Sequence, residues 1–121
     1  MAKISIESNN VQIQLSPLDR FWSIHGSLEI PLAHITSARV EDEDGWSHVW
    51  RKVIGTNAPG LKMAGTFFME GGLAFLDYGD GKNCVVIQTQ HERYQTVIVQ
   101  LDRGTDPDAI VAEINRRVGH V

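Results

Sequence analysis

The stretch "GTFFMEGGLAFLDYGDGKNCVVIQTQHERYQTVIVQL", Gly65 to Leu101, holds four runs of aliphatic, aromatic and β-branched residues. Breaks fall at Gly71 and Gly72, at Asp80 and Gly81, and in the polar segment "TQHER". Apolar runs of this length between such breaks read as strands, and the short breaks read as hairpin turns. The stretch therefore predicts an antiparallel meander.

Beyond it, "DPDAIVAEINRRVGHV" changes period. Asp106 suits an N-cap and Pro107 the first helical position, while Ile110, Ile114 and Val118 recur at four-residue spacing with Val111 widening the stripe. Arg116 and Arg117 complement the C-terminal end of the helix dipole, and Gly119 can stop the helix. On the other side of the meander, Ile4 and Ile6, then Val11, Ile13 and Leu15, alternate around "SNN" as a hairpin with one buried face. In "SPLDRFWSIHG", Ser16, Pro17 and Asp19 carry helix-start punctuation and Gly26 a stop, which predicts a short helix near residues 17–25. "SLEI" and "TSARVE" read as further strands, parted by "PLAHI", where Pro31 removes a ladder donor and favours an edge or a bend. Seven or more strands followed by one amphipathic helix predict a mainly β fold, a bent sheet or open barrel whose end the helix plugs.

Composition bounds what such a fold does. A chain of 121 residues, 42% hydrophobic and 21% charged, is sized for a single domain with one core, residues 1–121. The formal charge of -4 provides no general attraction to nucleic acid or to an anionic membrane, which are bound through clustered Lys and Arg. No apolar run approaches the roughly 20 residues that cross a bilayer, and no secretory leader is readable, so the expected address is the cytoplasm. The single cysteine, Cys84, lies in "CVVI" and reads as a small buried hydrophobe.

Chemistry-bearing motifs are few. In "VIGTNAPGLKMAGTFF", Gly55, Gly60 and Lys62 come within one residue of a G-x-x-x-x-G-K-[ST] phosphate loop, but Leu61 intervenes, Met63 replaces the hydroxyl and a strand follows where a helix is needed. That stretch reads as a glycine-permitted crossover between sheets, stiffened by Pro59. The acids Glu41 to Asp44 lack the alternating spacing of a calcium loop and read as a solvated turn. Beside them, "GWSHVWRK" sets Trp46, His48 and Trp50 next to Arg51 and Lys52. One reading sends Trp46, His48 and Trp50 to a single face as core cover; the other makes the segment an exposed protein contact, since aromatics and Arg anchor interfaces. The five histidines fall in no metal-ligand spacing, and Cys84 with His91 reads as strand spacing and not as a thiol–base pair. No metal, cofactor or catalytic residue is expected.

The order of segments resembles a pleckstrin-homology-like (PH-like) domain, most closely small bacterial proteins of that fold, through "IPLAHI", "GTNAPGLKMAGTFF", "GGLAFLDYGDGKNCVVIQ" and "YQTVIVQLDRGTDPDAIVAEI". The resemblance spans nearly the whole chain. It implies bent antiparallel sheets capped by the C-terminal helix and no inherited activity. The expectation is a non-enzymatic binding or assembly module of a bacterial cytoplasm, self-associating or meeting another protein through edge strands and loops, with Trp46, His48, Trp50, Arg51, Lys52 and Lys62 as the interaction surface. The alternative is a lipid-headgroup or small-anion binder, with an enzyme as the third class. PH domains that take phosphoinositides use cations on the first hairpin, whereas "ESNNVQIQ" has none between Lys3 and Arg20.

Overall fold

In the computed structural model the described residues are 2–15, 27–41, 49–58, 62–69, 72–78, 82–102 and 104–118, with the backbone alone at 49–58, 62–64 and 67–69. The short helix expected near residues 17–25 and the stop at Gly119 lie outside them. The described residues form a mainly β structure of two sheets and a C-terminal helix, with no closed barrel.

The first sheet is small. β1 (Ala2–Ile6) and β2 (Asn10–Leu15) make the expected hairpin, with Ile4 opposite Ile13 and Ile6 opposite Val11. Val11, Ile13 and Leu15 are buried, and β3 (Leu28–Pro31) pairs antiparallel with β2 as the outer strand. Pro31 closes β3, as a residue without an N–H donor should at an edge. One 3-10 turn, Leu32–His34, then carries the chain into the second sheet.

The second sheet has six strands: β4 (Ile35–Glu41), β5 (Val49–Ala58), β6 (Lys62–Met69), β7 (Gly72–Tyr78), β8 (Cys84–Thr89) and β9 (Thr96–Val99). Their spatial order is β4-β8-β9-β7-β6-β5. This corrects the antiparallel meander expected for Gly65–Leu101. β6 and β7 form a hairpin, but β7 and β8 are not neighbours: β9 lies between them, parallel to β7 and antiparallel to β8. The turn residues between β7 and β8 signal that the chain reverses, and Asn83 adopts the left-handed φ of 53° that such a turn favours. A reversal does not fix adjacency, and here the returning strand lands one position away. A second correction concerns Val53 to Gly65. It is not a crossover between sheets but most of the β5/β6 hairpin, with Ala58 opposite Lys62 and Gly55 opposite Gly65.

Burial explains why the central strands read as unbroken apolar runs. Phe75, Val85, Ile87, Val97 and Val99 face the main core with Val11, Ile13, Leu15, Ile30 and Ile114. Ala74, Leu76, Tyr78, Cys84, Val86 and Ile98 are buried together as a second cluster, so both faces of β7, β8 and β9 are covered. Strands buried on both sides lose polar alternation, and a strand with a parallel neighbour is usually of this kind. The sheets are stitched together where Ala2 bridges Leu101: the Ala2 N–H donates to the Gln100 carbonyl at 3.0 Å, and the Asp102 N–H to the Ala2 carbonyl at 3.0 Å.

The helix α1 (Pro107–Val118) starts as the sequence predicts, with the Asp108 N–H donating to Asp106 Oδ1 at 3.0 Å. It buries Ile114 and lays Ile110, Val111 and Val118 against the main core. It packs chiefly along β4, with smaller contacts to β1, β8 and the 3-10 turn, and so touches strands of both sheets beside the main core.

Candidate functional site

The two edges of the six-stranded sheet are treated differently. At β4, Asn115 of α1 supplies what a neighbouring strand would supply. Its Nδ2 donates to the Ala38 carbonyl at 3.0 Å, and its Oδ1 accepts from the Ala38 N–H at 3.1 Å. At the far edge, β5 pairs with β6 on one side and has no strand on the other among the described residues. Unpaired edge N–H and C=O groups are a template for another strand.

β5 is not uniform along its length. Its register against β6 shifts between Val49 and Arg51 and again between Lys52 and Ile54, whereas Ile54–Ala58 pairs without interruption with Lys62–Thr66. Bulges and cations both discourage edge pairing, so the first half, with Trp50, Arg51 and Lys52, is the protected half. The second half, "IGTNA", is regular and uncharged.

Of the residues singled out in the sequence, Trp50, Arg51 and Lys52 thus lie on this edge strand, and Lys62 opens β6 at the closed end of the same hairpin. Trp46 and His48 lie outside the described residues. The register shift between Val49 and Arg51 falls at Trp50. Of the phosphate-loop near miss, Gly55 lies on β5 and Lys62 begins β6, so Lys62 does not open a helix.

Other pairings are made by the fold alone. Cys84 is fully buried at the start of β8, and His91 is exposed beyond its end, about 20 Å away at strand rise, so the two do not form a thiol–base pair. His34 and His91, far apart in sequence, meet edge-on with ring centroids 6.0 Å apart, and His34 Nδ1 pairs with the Glu92 carboxylate. The Gln90 N–H also donates to the His34 carbonyl at 2.8 Å, which fastens the β8–β9 connection to the 3-10 turn. That same connection holds Tyr94, whose buried hydroxyl bonds Thr66 Oγ1 at 2.9 Å and whose ring packs on Phe75. The segment "TQHER" reads as a break between strands; the partners of this connection are His34 of the 3-10 turn, Thr66 of β6 and Phe75 of β7, and no local pattern announces them. Among the described residues no group of three or more His, Cys, Asp or Glu is placed to hold a metal ion.

No family model, curated protein or solved structure matches the chain.

Proposed function

We propose that the chain is a non-enzymatic binding and assembly module of PH-like build, acting in a bacterial cytoplasm, whose contact is the outer edge of β5 and whose first partner is a second copy of itself. The observation that carries this reading is the asymmetry of the six-stranded sheet, with the β4 edge occupied by Asn115 and the β5 edge without a neighbouring strand among the described residues. Two sheets on one core with a C-terminal helix support the PH-like build, while the parallel β7–β9 pair departs from its antiparallel plan. A two-fold axis through Ile54–Ala58 would pair β5 with its copy antiparallel, and such closed two-fold contacts are the commonest in small soluble proteins. Trp50 and Arg51, next to that stretch, have the composition that interface cores favour.

Light scattering coupled to size exclusion tests the reading. The expected result is a species of twice the 13.5 kDa monomer mass that dissociates on dilution. Strand N–H groups alternate in direction, so one of Thr56→Pro and Asn57→Pro removes an outward donor without touching the β5–β6 ladder. One of the two variants should be a folded monomer by circular dichroism. A monomer of the unaltered protein at every concentration refutes the proposal, as do two folded proline variants that both remain dimeric.

A further inference from the structure

A second edge lies far from β5. β3 ends the small sheet, and its side away from β2 has no strand among the described residues. Which of its main-chain groups face that side follows from one hydrogen bond. The Leu32 N–H donates to the Asn9 carbonyl at 2.9 Å, which makes Asn9 and Leu32 a bonded pair in the β2–β3 register. Bonded pairs recur at every second residue of an antiparallel ladder, here at Val11/Ile30 and Ile13/Leu28. Glu29, between them, therefore turns its N–H and carbonyl outward. Its side chain takes the outer face of the sheet, where Oε1 accepts from Asn10 Nδ2 at 2.6 Å, while Leu28 and Ile30 pack on the main core.

A cleft of about 140 Å³ opens between this edge and the β8–β9 connection with β9. Leu28, Ile30, Tyr94 and Val97 give it apolar walls. Such a volume is close to the roughly 150 Å³ of an apolar cavity known to take up benzene, so it admits one side chain of leucine to phenylalanine size. On the connection stands Arg93, exposed, its guanidinium 5.4 Å from the centroid of the Tyr94 ring and without a hydrogen bond or ion pair among the described residues. Glu92, beside it, is engaged by His34.

An outward N–H and carbonyl on an edge strand can pair with an extended peptide, the apolar cleft can take one of its side chains, and the guanidinium fork suits a carboxylate. In an extended chain neighbouring side chains point to opposite faces, so an acidic neighbour of the residue in the cleft would point away from it. The guanidinium rests on a wall of that cleft, and the carboxylate that reaches it best is one on the same residue. The last residue of a chain carries both. We propose that the β3 edge and this cleft bind the C-terminus of a partner protein as an added strand, with an apolar last side chain in the cleft and the terminal carboxylate on Arg93.

The experiment is a two-dimensional amide NMR titration of the full chain with N-acetylated pentapeptides ending in leucine or phenylalanine, run beside three controls. The C-terminal amide lacks the carboxylate, a pentapeptide ending in glycine lacks the side chain, and the N-acetyl amino acid lacks the strand. At least one of the two peptides should give saturable shifts clustered at Leu28–Ile30 and Glu92–Val97, with the Glu29 amide proton moving downfield as it gains a partner. Each control should bind about tenfold more weakly or worse. Arg93→Gln, at an exposed position, should keep the spectrum of the fold and weaken binding by a similar factor. Glu29→Pro removes the outward N–H and no bond to β2, and should also lose binding; if it fails to fold, the Glu29 amide shift of the unaltered protein reads the same bond. Absence of saturable shifts with both peptides overturns the proposal. So does equal binding of the amide, which marks an internal segment as the occupant, or of the N-acetyl amino acid, which marks a site for small carboxylates. Binding that survives Arg93→Gln unchanged overturns it as well.

Discussion

Tyr94 and Thr66 show how a buried polar pair fixes one arrangement of the chain. Their hydroxyls bond at 2.9 Å inside the protein, so removing either one takes this partner from the other in a buried place. An unmade buried hydrogen bond costs about 1–3 kcal/mol, whereas replacing both partners by apolar groups of similar shape is nearly neutral. Chemical denaturation should therefore show Tyr94→Phe and Thr66→Val each destabilising by about 1–2 kcal/mol, and the double variant losing clearly less than their sum. Additive losses would mean that the bond does not form. At the surface, hydrogen bonds from Arg116 and then Arg117 hold Glu113 down to about 2, against an ordinary value of 4.5. Because the folded value lies below the unfolded one, the stabilisation is present above pH 4.5 and is lost as pH falls toward 2. Carboxyl NMR should find Glu113 titrating well below its ordinary value of 4.5 in dilute buffer and moving upward in strong salt, since the pair lies at the surface and screening reaches it. A Glu113 midpoint near 4.5 in low salt would refute the pairing.

The amide of Asn115 makes α1 a stand-in for a strand, and that role was not readable from the helix alone. Asn115 sits one position past Ile114 on a stripe that the spacing of Ile110, Ile114 and Val118 does predict, and nothing local says that its side chain meets Ala38. Asn115→Ala leaves the N–H and the carbonyl of Ala38 without this partner in a partly buried place, and should cost about 1–3 kcal/mol in urea unfolding. Asn115→Asp should cost at least as much at neutral pH, because a carboxylate has no donor for the Ala38 carbonyl. If Asn115→Ala is as stable as the parent, the edge is satisfied by other means. Much of the secondary structure was legible for the same reasons that it forms. Alternation marked β1 and β2, Asp106 and Pro107 marked the start of α1, and Pro31 marked the end of β3. The β5/β6 hairpin was missed because Gly55, Gly60 and Gly65 look like loop residues one by one, yet Gly55 and Gly65 face each other across the ladder, where neither crowds the other.

Topology was the least legible level. Hairpin signals report where the chain turns, but whether the next strand becomes the neighbour depends on what else competes for the position, and β9 takes the place beside β7 that β8 was expected to fill. The candidate surfaces divide in the same way. Trp50, Arg51 and Lys52 were found from composition, whereas their position on an outer strand depends on the order of all six strands of the sheet. Self-association through β5 would also have a natural limit: with α1 packed along β4 and Asn115 bonded to Ala38, the other edge of this sheet is partly covered, which favours an assembly of two. The bridge from Ala2 to Leu101 has a different consequence, one of timing. A ribosome delivering about 5–20 residues per second needs roughly 5–20 s to make the chain between those two partners. Throughout that interval the β1–β2 hairpin exists without the strand that anchors it, and isolated hairpins are marginally stable in water. Val11, Ile13 and Leu15 therefore face solvent until β9 and α1 have emerged, which makes the newborn N-terminal segment the part of this protein with most need of a chaperone.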